Sequence, residues 1–580
     1  MKIDLKKNGW TILKYIPIFL FVTIMPLTVR LKQVVIKDLN VEGLPSVIVN
    51  GDLFNFYKAR LVFFGALLAI VLLIAGWVIG KVRFSFTRAD MAGLAFVGLV
   101  VLSSFLADQD TVVWWGYSER WHGAATWISY YVYYYYLKTV INSQKEILHV
   151  TRFILLSAVV MVTIGLMQAL SMDPFRMDIL KKLILPAEYI KNNGLDSMKF
   201  TFELNRVYMT LYNPNNVGVY VAGMIPFAVY GIIKDNKIIK GIWSLTVLGA
   251  IISLMGSYSR AGLGALAIAF LLYFIINMKS VYKFRKQILI GLIITMVLVV
   301  AGDNLADNVL SRRLFDMGSS RASYTKLQGL YIEESDLLID YNDQKLVMRF
   351  FSEDELPKPY TTDGDTISVT QLEDMSLIFQ EPTLEGLSYQ ITRSKDVGFV
   401  VTLNINKRYT MNFVSIDNQV KYINSYGKVT DVVDADFVGF ENNLRWGSNR
   451  GYIWSRSVPL IFDKPLLGHG PDQFVLSFPQ TDYVSKINAF ANPELIVDKP
   501  HNQYLGFLVE FGVLGLLTYL IWVVGSIWKA RKNIIIVSAL SVLIAFLFYD
   551  ISITTGWLLI TSLGILSGDV VKMTSLEEGM

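Results

Sequence analysis

Apolar runs long enough to cross a bilayer recur along this chain, and they are interrupted at length only once, by the stretch 303–502. A hydrocarbon core of about 30 Å takes about 20 predominantly apolar residues in a helix. Runs of that kind stand near 10–29, 58–80, 90–107, 122–137, 153–171, 214–233, 242–257, 262–278, 287–302, 503–527, 533–549 and 551–568. In lipid every backbone polar group must be satisfied internally, and continuous runs satisfy theirs as helices. The expected architecture is therefore an all-α polytopic membrane protein with about twelve transmembrane helices. Composition agrees: 53% of residues are apolar and only 17% charged, with a mean hydropathy of +0.44, outside the range of a water-soluble domain. The first run, Trp10 to Val29, lacks a small-residue cleavage site and reads as a retained span rather than a signal peptide.

Basic residues fall in alternate connections: Lys2, Lys6 and Lys7, then Lys81, Arg83 and Arg88, then Lys138, Lys145 and Arg152. Lys234, Lys237 and Lys240, then Lys279 to Lys286, then Lys529, Arg531 and Lys532 continue the alternation. By the positive-inside rule both termini are cytoplasmic. The external segments are then 30–57, 108–121, 172–213, a turn near 258–261, and 303–502. The formal charge of +5 is accounted for by the cytoplasmic loops and gives no reason to invoke nucleic acid. Cysteine is absent, which removes disulfides, thiolate catalysis and cysteine-ligated metal. The run "YYVYYYYLK", ending at Lys138, reads as an aromatic belt at headgroup level rather than as a binding stripe.

Within 303–502 the apolar runs give way to short alternating segments such as "DTISVTQL" and "GFVVTLNINKRYTMNFV", with Gly, Asp and Asn breaks. Period-two alternation of this kind predicts an inserted β-rich domain at about 325–440, a sandwich outside the membrane that serves structure or acceptor recognition. The domain plan is an N-terminal membrane unit, 1–302, of about nine helices, then the external segment 303–502. A loop with candidate chemistry lies at about 445–502, and a C-terminal unit, 503–580, has about three helices.

Polar residues flanking the spans carry the candidate chemistry. Arg206 and Asn213-Pro214-Asn215 precede one span, and Ser259-Arg260-Ala261-Gly262 joins two others. Arg450, Trp454 and the Gly468-x-Gly470 turn precede His501-Asn502, which opens the helix of "HNQYLGFLVEFGVLGLL". All face the same compartment in this topology. Arginines fork onto phosphate oxygens, so several at one membrane face form a clamp for a pyrophosphate whose lipid tail lies in the bilayer. A histidine at a helix N-terminus is kept neutral by the macrodipole and accepts a proton from an attacking hydroxyl. The alternatives are bland: an external arginine snorkels to headgroups, and a histidine at an interface is a satisfied polar residue. The residues alone leave both readings open.

Their order, "R…NPN", "SRAG", "R…W…P…GHG…F" and "HNQYLGFLVEFGVLGLL", resembles the O-antigen ligase and polymerase superfamily, over roughly 90–303 and 445–568. The segment "GYSERWHGAATW", with Arg120, resembles an external loop of Gram-positive members. Two features depart from the pattern: the β-rich insertion lies outside the usual core, and alanine follows Arg260 where a glycine is common.

The resemblance implies a GT-C-like membrane glycosyltransferase of the bacterial cytoplasmic membrane, active on its outer face. It would move a glycan from undecaprenyl pyrophosphate to a hydroxyl acceptor on a glycolipid, surface polymer or protein, by inversion and without metal or cofactor. Arg206 and Arg260 would contact the pyrophosphate and His501 would activate the acceptor hydroxyl. Arg450 and Arg120 would line the substrate groove, and Asn213, Asn215 and Asn502 would cap the loops that fix the geometry. Three functions compete: en bloc ligase, polymerase of lipid-linked repeats, and flippase of lipid-linked glycan. A flippase predicts midplane charges and related halves, and the candidate polar groups cluster at one face instead. An added external module, as a site for a separate acceptor, favours the ligase.

Overall fold

The computed structural model describes residues 5–37, 39, 41–108, 112–200, 202–278, separate positions between 282 and 304, 325–351, 355–394 and 398–568. Seven helices among them are long and apolar enough to cross a membrane. Six belong to a first group of eight apolar helices: α1 (Gly9–Leu27), α2 (Phe56–Val78), α3 (Arg88–Phe105), α4 (Ala124–Val140), α5 (Gln144–Ala169), α6 (Pro214–Lys234), α7 (Lys237–Ser257) and α8 (Arg260–Ile276), of which α4 and α8 are the two shorter ones. After the polar segment come α9 (Trp446–Asp463) and α10 (Tyr483–Phe490), then the seventh long span α11 (Gln503–Ile527), then α12 (Ile536–Ala545) and α13 (Gly556–Ser567).

The expected count of about twelve is therefore not reached by length. The apolar run at 533–568 is long in sequence, yet α12 stops at Ala545 because the chain unwinds around Asp550, Ser552 and Thr554. The expected span 287–302 lies outside the described residues apart from separate positions.

Local chemistry sets the helix starts. Thr87 and Asp90 form a capping box on α3, Ser143 caps α5, and Asn236 caps α7. Asn213 caps α6, whose first residue, Pro214, is preset for a first turn.

The tyrosine run of α4 is a correction to the belt reading. Tyr130, Tyr133, Tyr134 and Tyr136 are fully buried in the bundle core. Part of the run is matched: Tyr134 Oη donates to Asp90 Oδ1 at 2.7 Å, Tyr135 Oη to the Ser85 carbonyl at 3.0 Å, and Tyr136 Oη to the Lys14 carbonyl at 2.9 Å, whereas the buried hydroxyls of Tyr130 and Tyr133 have no hydrogen-bond partner among the described residues. Lys138 pairs with the same Asp90. A phenol inside a helix bundle is tolerated once its hydroxyl is matched. Elsewhere in the core Phe96 of α3 meets Trp127, Phe507, Phe511 and Trp522 at ring separations of 5.5 to 6.2 Å, knitting α3 and α4 to α11.

The β-rich region stands where alternation placed it. Strands β1 (Lys32–Ile36) and β2 (Ile48–Asp52) pair in the first loop, which the sequence reading missed. A four-stranded antiparallel meander follows: β3 (Leu327–Glu333), β4 (Asp336–Tyr341), β5 (Gln344–Arg349) and β6 (Lys358–Thr361). The seven-stranded antiparallel sheet is β7 (Val369–Gln371), β8 (Leu377–Phe379), β9 (Leu387–Ser394), β10 (Gly398–Ile405), β11 (Tyr409–Ile416), β12 (Gln419–Ile423) and β13 (Val429–Thr430), in sequential order. Asn342-Asp343 and Asp417-Asn418 make the tight hairpins, each with both residues at positive φ, the geometry these residue types tolerate best. The two sheets share one apolar core, Leu337, Ile339, Leu346, Val401, Leu403 and Phe413 among its members, so they form a sandwich. Tyr483 and Ile487 of α10 enter that same core. Asn488 Nδ2 donates to the Leu327 carbonyl at 2.7 Å, and Tyr422 Oη donates to Glu494 at 2.6 Å. The sandwich is thereby built onto the segment that leads to His501.

Candidate functional site

Four turns meet at one end of the bundle. In the first, Asn213 accepts from the Asn215 amide at 2.9 Å and starts α6. In the second, Tyr258 ends α7 in the left-handed conformation, so that Ser259 and Arg260 open α8 immediately afterwards. The two turns are locked by glycines: a Cβ on Gly262 would stand 2.3 Å from the Gly218 carbonyl carbon, and one on Gly218 would stand 2.1 Å from Ser259 Oγ. Ser259 Oγ also donates to the Asn215 carbonyl at 3.5 Å. Arg206 lies over the Tyr258 ring at 4.6 Å, a cation–π contact that seats it on the Arg260 turn.

The third turn belongs to α9. Gly447, Ser448 and Asn449 are all left-handed, an unusual succession that costs strain at the two residues with side chains. It delivers Arg450 inward, where its Nη1 donates to the Gly447 carbonyl at 2.6 Å and its Nη2 to the Phe548 carbonyl at 2.9 Å. The Nε has no hydrogen-bond partner. Burial pushes this guanidinium below its ordinary pKa; Asp550 opposes that effect and the charge of Arg260 adds to it. Arg450, Arg260 and Asp550 thus share one electrostatic neighbourhood.

The fourth turn is the glycine–histidine–glycine segment, and it explains a break in a membrane helix. At Gly512, φ 64 and ψ −171, α11 leaves helical geometry. The carbonyls freed by the break take donors from the loop: His469 N–H to the Val509 carbonyl and Gly470 N–H to the Glu510 carbonyl, both at 2.9 Å. Val513 N–H reaches back to the Pro465 carbonyl at 2.9 Å. Backbone irregular at membrane depth is tolerated when another segment satisfies it in this way. Beneath the loop Arg120 binds Asp472 at 2.5 Å, Glu510 at 2.9 Å and the Asp498 carbonyl at 2.7 Å. Burial opposes its charge, but Asp472 and Glu510 hold its pKa above the ordinary value.

His501 precedes α11 with φ 54, and Asn502 is the cap, accepting from the Tyr504 and Leu505 amides at 3.0 and 3.1 Å. The imidazole also faces a carboxylate that the sequence reading did not anticipate. Its Nδ1 lies 3.2 Å from Oδ2 of Asp550, and its ring stacks on Tyr549 at 6.3 Å. The side chain retains 29% exposure, enough for a substrate to reach it. Next to it, burial would raise Asp498, but Lys499, Arg120 and His501 hold that carboxyl below its ordinary range.

His501 thus contacts Asp550, and Arg450 shares an electrostatic neighbourhood with Asp550 and with Arg260, while Arg206 sits on the Arg260 turn and Asn213 and Asn215 on the turn beside it. Arg120 reaches Asp472, Glu510 and the Asp498 carbonyl and also feels the charge of Asp550, so it braces the loop beside the same cluster. Asn213 and Asn502 are true caps, whereas Asn215 supplies its backbone and does not cap. Sequence reasoning missed Asp550, Lys499 and Asp498. Asp550 had a signal, a lone carboxylate between two apolar runs, which is costly unless paired.

The fold and this cluster define a polytopic membrane protein with a cationic site at one end of its helix bundle. Comparison with known proteins adds that residues 397–520 match the family described as O-Antigen ligase. The match runs from the last strands of the sandwich through Arg450, the glycine–histidine–glycine turn, His501 and Glu510 into α11, and does not reach Arg120, Arg206 or Arg260. It supports the O-antigen ligase superfamily, glycosyltransferase-like membrane proteins for which lipid-linked glycan substrates are implied. No curated protein and no solved structure matches the chain.

Proposed function

We propose that this protein is an O-antigen-ligase-type glycosyltransferase that moves a glycan en bloc from undecaprenyl pyrophosphate to an acceptor hydroxyl, on the outer face of the bacterial cytoplasmic membrane. The observation that carries this is the contact of His501 with Asp550 beside Arg450 and Arg260. Nδ1 faces the Asp550 carboxylate at 3.2 Å, and in this reading the Nε2 lone pair is the one offered to a hydroxyl. The acceptor oxygen attacks the anomeric carbon, the bond from that carbon to the pyrophosphate oxygen breaks with inversion, and the hydroxyl proton passes to Nε2. The leaving undecaprenyl pyrophosphate gains negative charge, which Arg260, Arg450 and Arg206 neutralise as a preorganised clamp. These arginines carry the charge stabilisation in this reading, so transfer needs no metal.

The test is incubation of the purified protein in nanodiscs with an undecaprenyl pyrophosphate-linked glycan, with EDTA present, followed by mass spectrometry. Glycan transfer that is lost in His501→Ala is expected. A product of lengthened lipid-linked chain would make the protein a polymerase, which shares this chemistry. Absence of transfer by wild type with every acceptor would overturn the reading.

A further inference from the structure

Beside the cationic cluster lies an aromatic face that the transfer chemistry does not use. Trp446 is 37% exposed although its ring centroid is 5.4 Å from Phe440, at 35° between planes, and 5.7 Å from Trp454, at 60°. Trp454 stands edge-on behind Phe440 as well, at 6.4 Å and 78°. The Phe440 and Trp446 rings therefore pack at a tilt with part of the indole open, and Trp454 packs edge-on against both.

The aromatic face is braced to the transfer centre at both edges. Trp454 Nε1 donates to the carbonyl of Pro500, the residue before His501, at 2.8 Å. Arg450, four residues beyond Trp446, donates to the carbonyl of Phe548, two residues before Asp550. Between Trp446 and Arg450 run the three left-handed residues 447–449, so the strained turn sets the aromatic face and the guanidinium relative to each other. A helix continuing normally would carry the two side chains one turn apart on a common stripe.

We propose that Trp446 and Phe440 form a stacking subsite for a pyranose ring of the glycan being transferred or of its acceptor. The inference rests on the glycan-transfer reading above. A pyranose presents axial C–H groups, with partial positive charge, on one face and hydroxyls around its rim. An indole presents a negative face that attracts such hydrogens, and a polar edge. The aromatic face holds the ring flat while its rim hydroxyls or its linked phosphate face Arg450, whose Nε lacks a protein partner.

The test has two arms, both on full-length protein in nanodiscs. In the first, saturation-transfer NMR is recorded with the methyl glycosides of a hexopyranose, a 6-deoxyhexopyranose and a 2-acetamido-hexopyranose. Saturation of ring C–H protons of at least one of them is expected with wild type and Trp446→Phe, and its loss with Trp446→Ala. Equal saturation in Trp446→Ala, the result for a tryptophan that only anchors the protein at the membrane surface, overturns the proposal. So does saturation of none of the three by wild type. In the second arm Trp446→Ala is expected to raise one KM by about 10-fold, equivalent to about 1.4 kcal/mol, with kcat kept. A rise for the lipid-linked donor assigns the subsite to the donor sugar, and a rise for the acceptor assigns it to the acceptor. Unchanged values of both overturn it. Failure of wild type to transfer would sink the proposed function, while the NMR arm would still decide the subsite.

Discussion

Nδ1 of His501 stands 3.2 Å from Oδ2 of Asp550, which lies on the turn between α12 and α13, far along the chain from the histidine's own helix. The contact holds a partly exposed imidazole, and in the proposed reaction Nε2 is its working atom. If His501 is the base, His501→Ala is expected to slow transfer by about 10²–10⁴-fold. Asp550→Asn, which keeps shape but not charge, is expected to cause a smaller loss in kcat with KM for the donor unchanged. In the His501→Ala background the second change is expected to add nothing. Additive losses measured in that cycle would mean that Asp550 acts elsewhere.

Arg120 differs from the other arginines in what it leaves behind when removed. Asp472 and Glu510 have side chains only 0% and 2% exposed, and Arg120 is the cation between them. Arg120→Ala strands both, and breaking a buried pair in this way costs about 3–5 kcal/mol. The expected outcome is a large fall in thermal stability in detergent, with poor rescue by lysine, because three separate guanidinium donors are in use. Arg450→Ala removes no carboxylate's sole partner and is expected to keep stability while raising KM for the lipid-linked donor. Normal stability with weakened donor binding in Arg120→Ala would place it in the substrate groove.

How much of this was legible in sequence depended on whether the signal was local. Long apolar runs marked α2, α5, α6 and α11, and alternation broken by Gly, Asp and Asn marked the β-rich region. The tyrosines of α4 were misjudged because a run ending in lysine looks the same at a lipid interface as in a core. The difference lies in Asp90 and Ser85, some forty-five residues upstream, whose partnership only the tertiary structure reveals. Asn502 and His501 were legible as a helix opening, but the carboxylate facing the histidine comes from a different turn. Arg120 was placed at the substrate groove by resemblance, and its buried partners Asp472 and Glu510 were not legible because neither is near it in sequence. The left-handed turn at 447–449 had only Gly447 to signal it, since serine and asparagine adopt that conformation because their surroundings impose it.

Lys486 gives the loop a pH dependence of known sign. It is 1% exposed and donates to the Gln480 carbonyl at 2.9 Å. Burial pushes it down to about 7, against the opposing pull of Asp482 and Glu494. Its folded value is depressed below the unfolded one of 10.5, so the folded protein binds fewer protons between those limits. The burden on folding is therefore absent above the unfolded value and grows as pH falls, becoming complete below the folded one. Lys486→Met is expected to raise Tm relative to wild type most at about pH 6 and progressively less toward about pH 10. A difference that is flat or grows with pH would contradict a neutralised lysine at this position.

Gly512 is where the helix break and the candidate site depend on one missing side chain. At φ 64 and ψ −171 a residue with Cβ is strained, and that Cβ would stand 2.4 Å from the Leu466 carbonyl carbon. The backbone strain alone costs about 1–3 kcal/mol, before the clash is relieved. Relief has two routes, and each damages the site. Moving Leu466 outward pulls the loop's amides from the Val509 and Glu510 carbonyls, while straightening α11 consumes those carbonyls within the helix. Either way Gly468-His469-Gly470 loses its seat, and Asp472, which follows it, shifts from Arg120. Gly512→Ala is therefore expected to lower Tm and to lose transfer together. Gly98→Ala, in α3 with open space around its Cβ, is the control, expected to be neutral or slightly stabilising. Wild-type stability and transfer in Gly512→Ala would show that the break in α11 does not hold the loop in place.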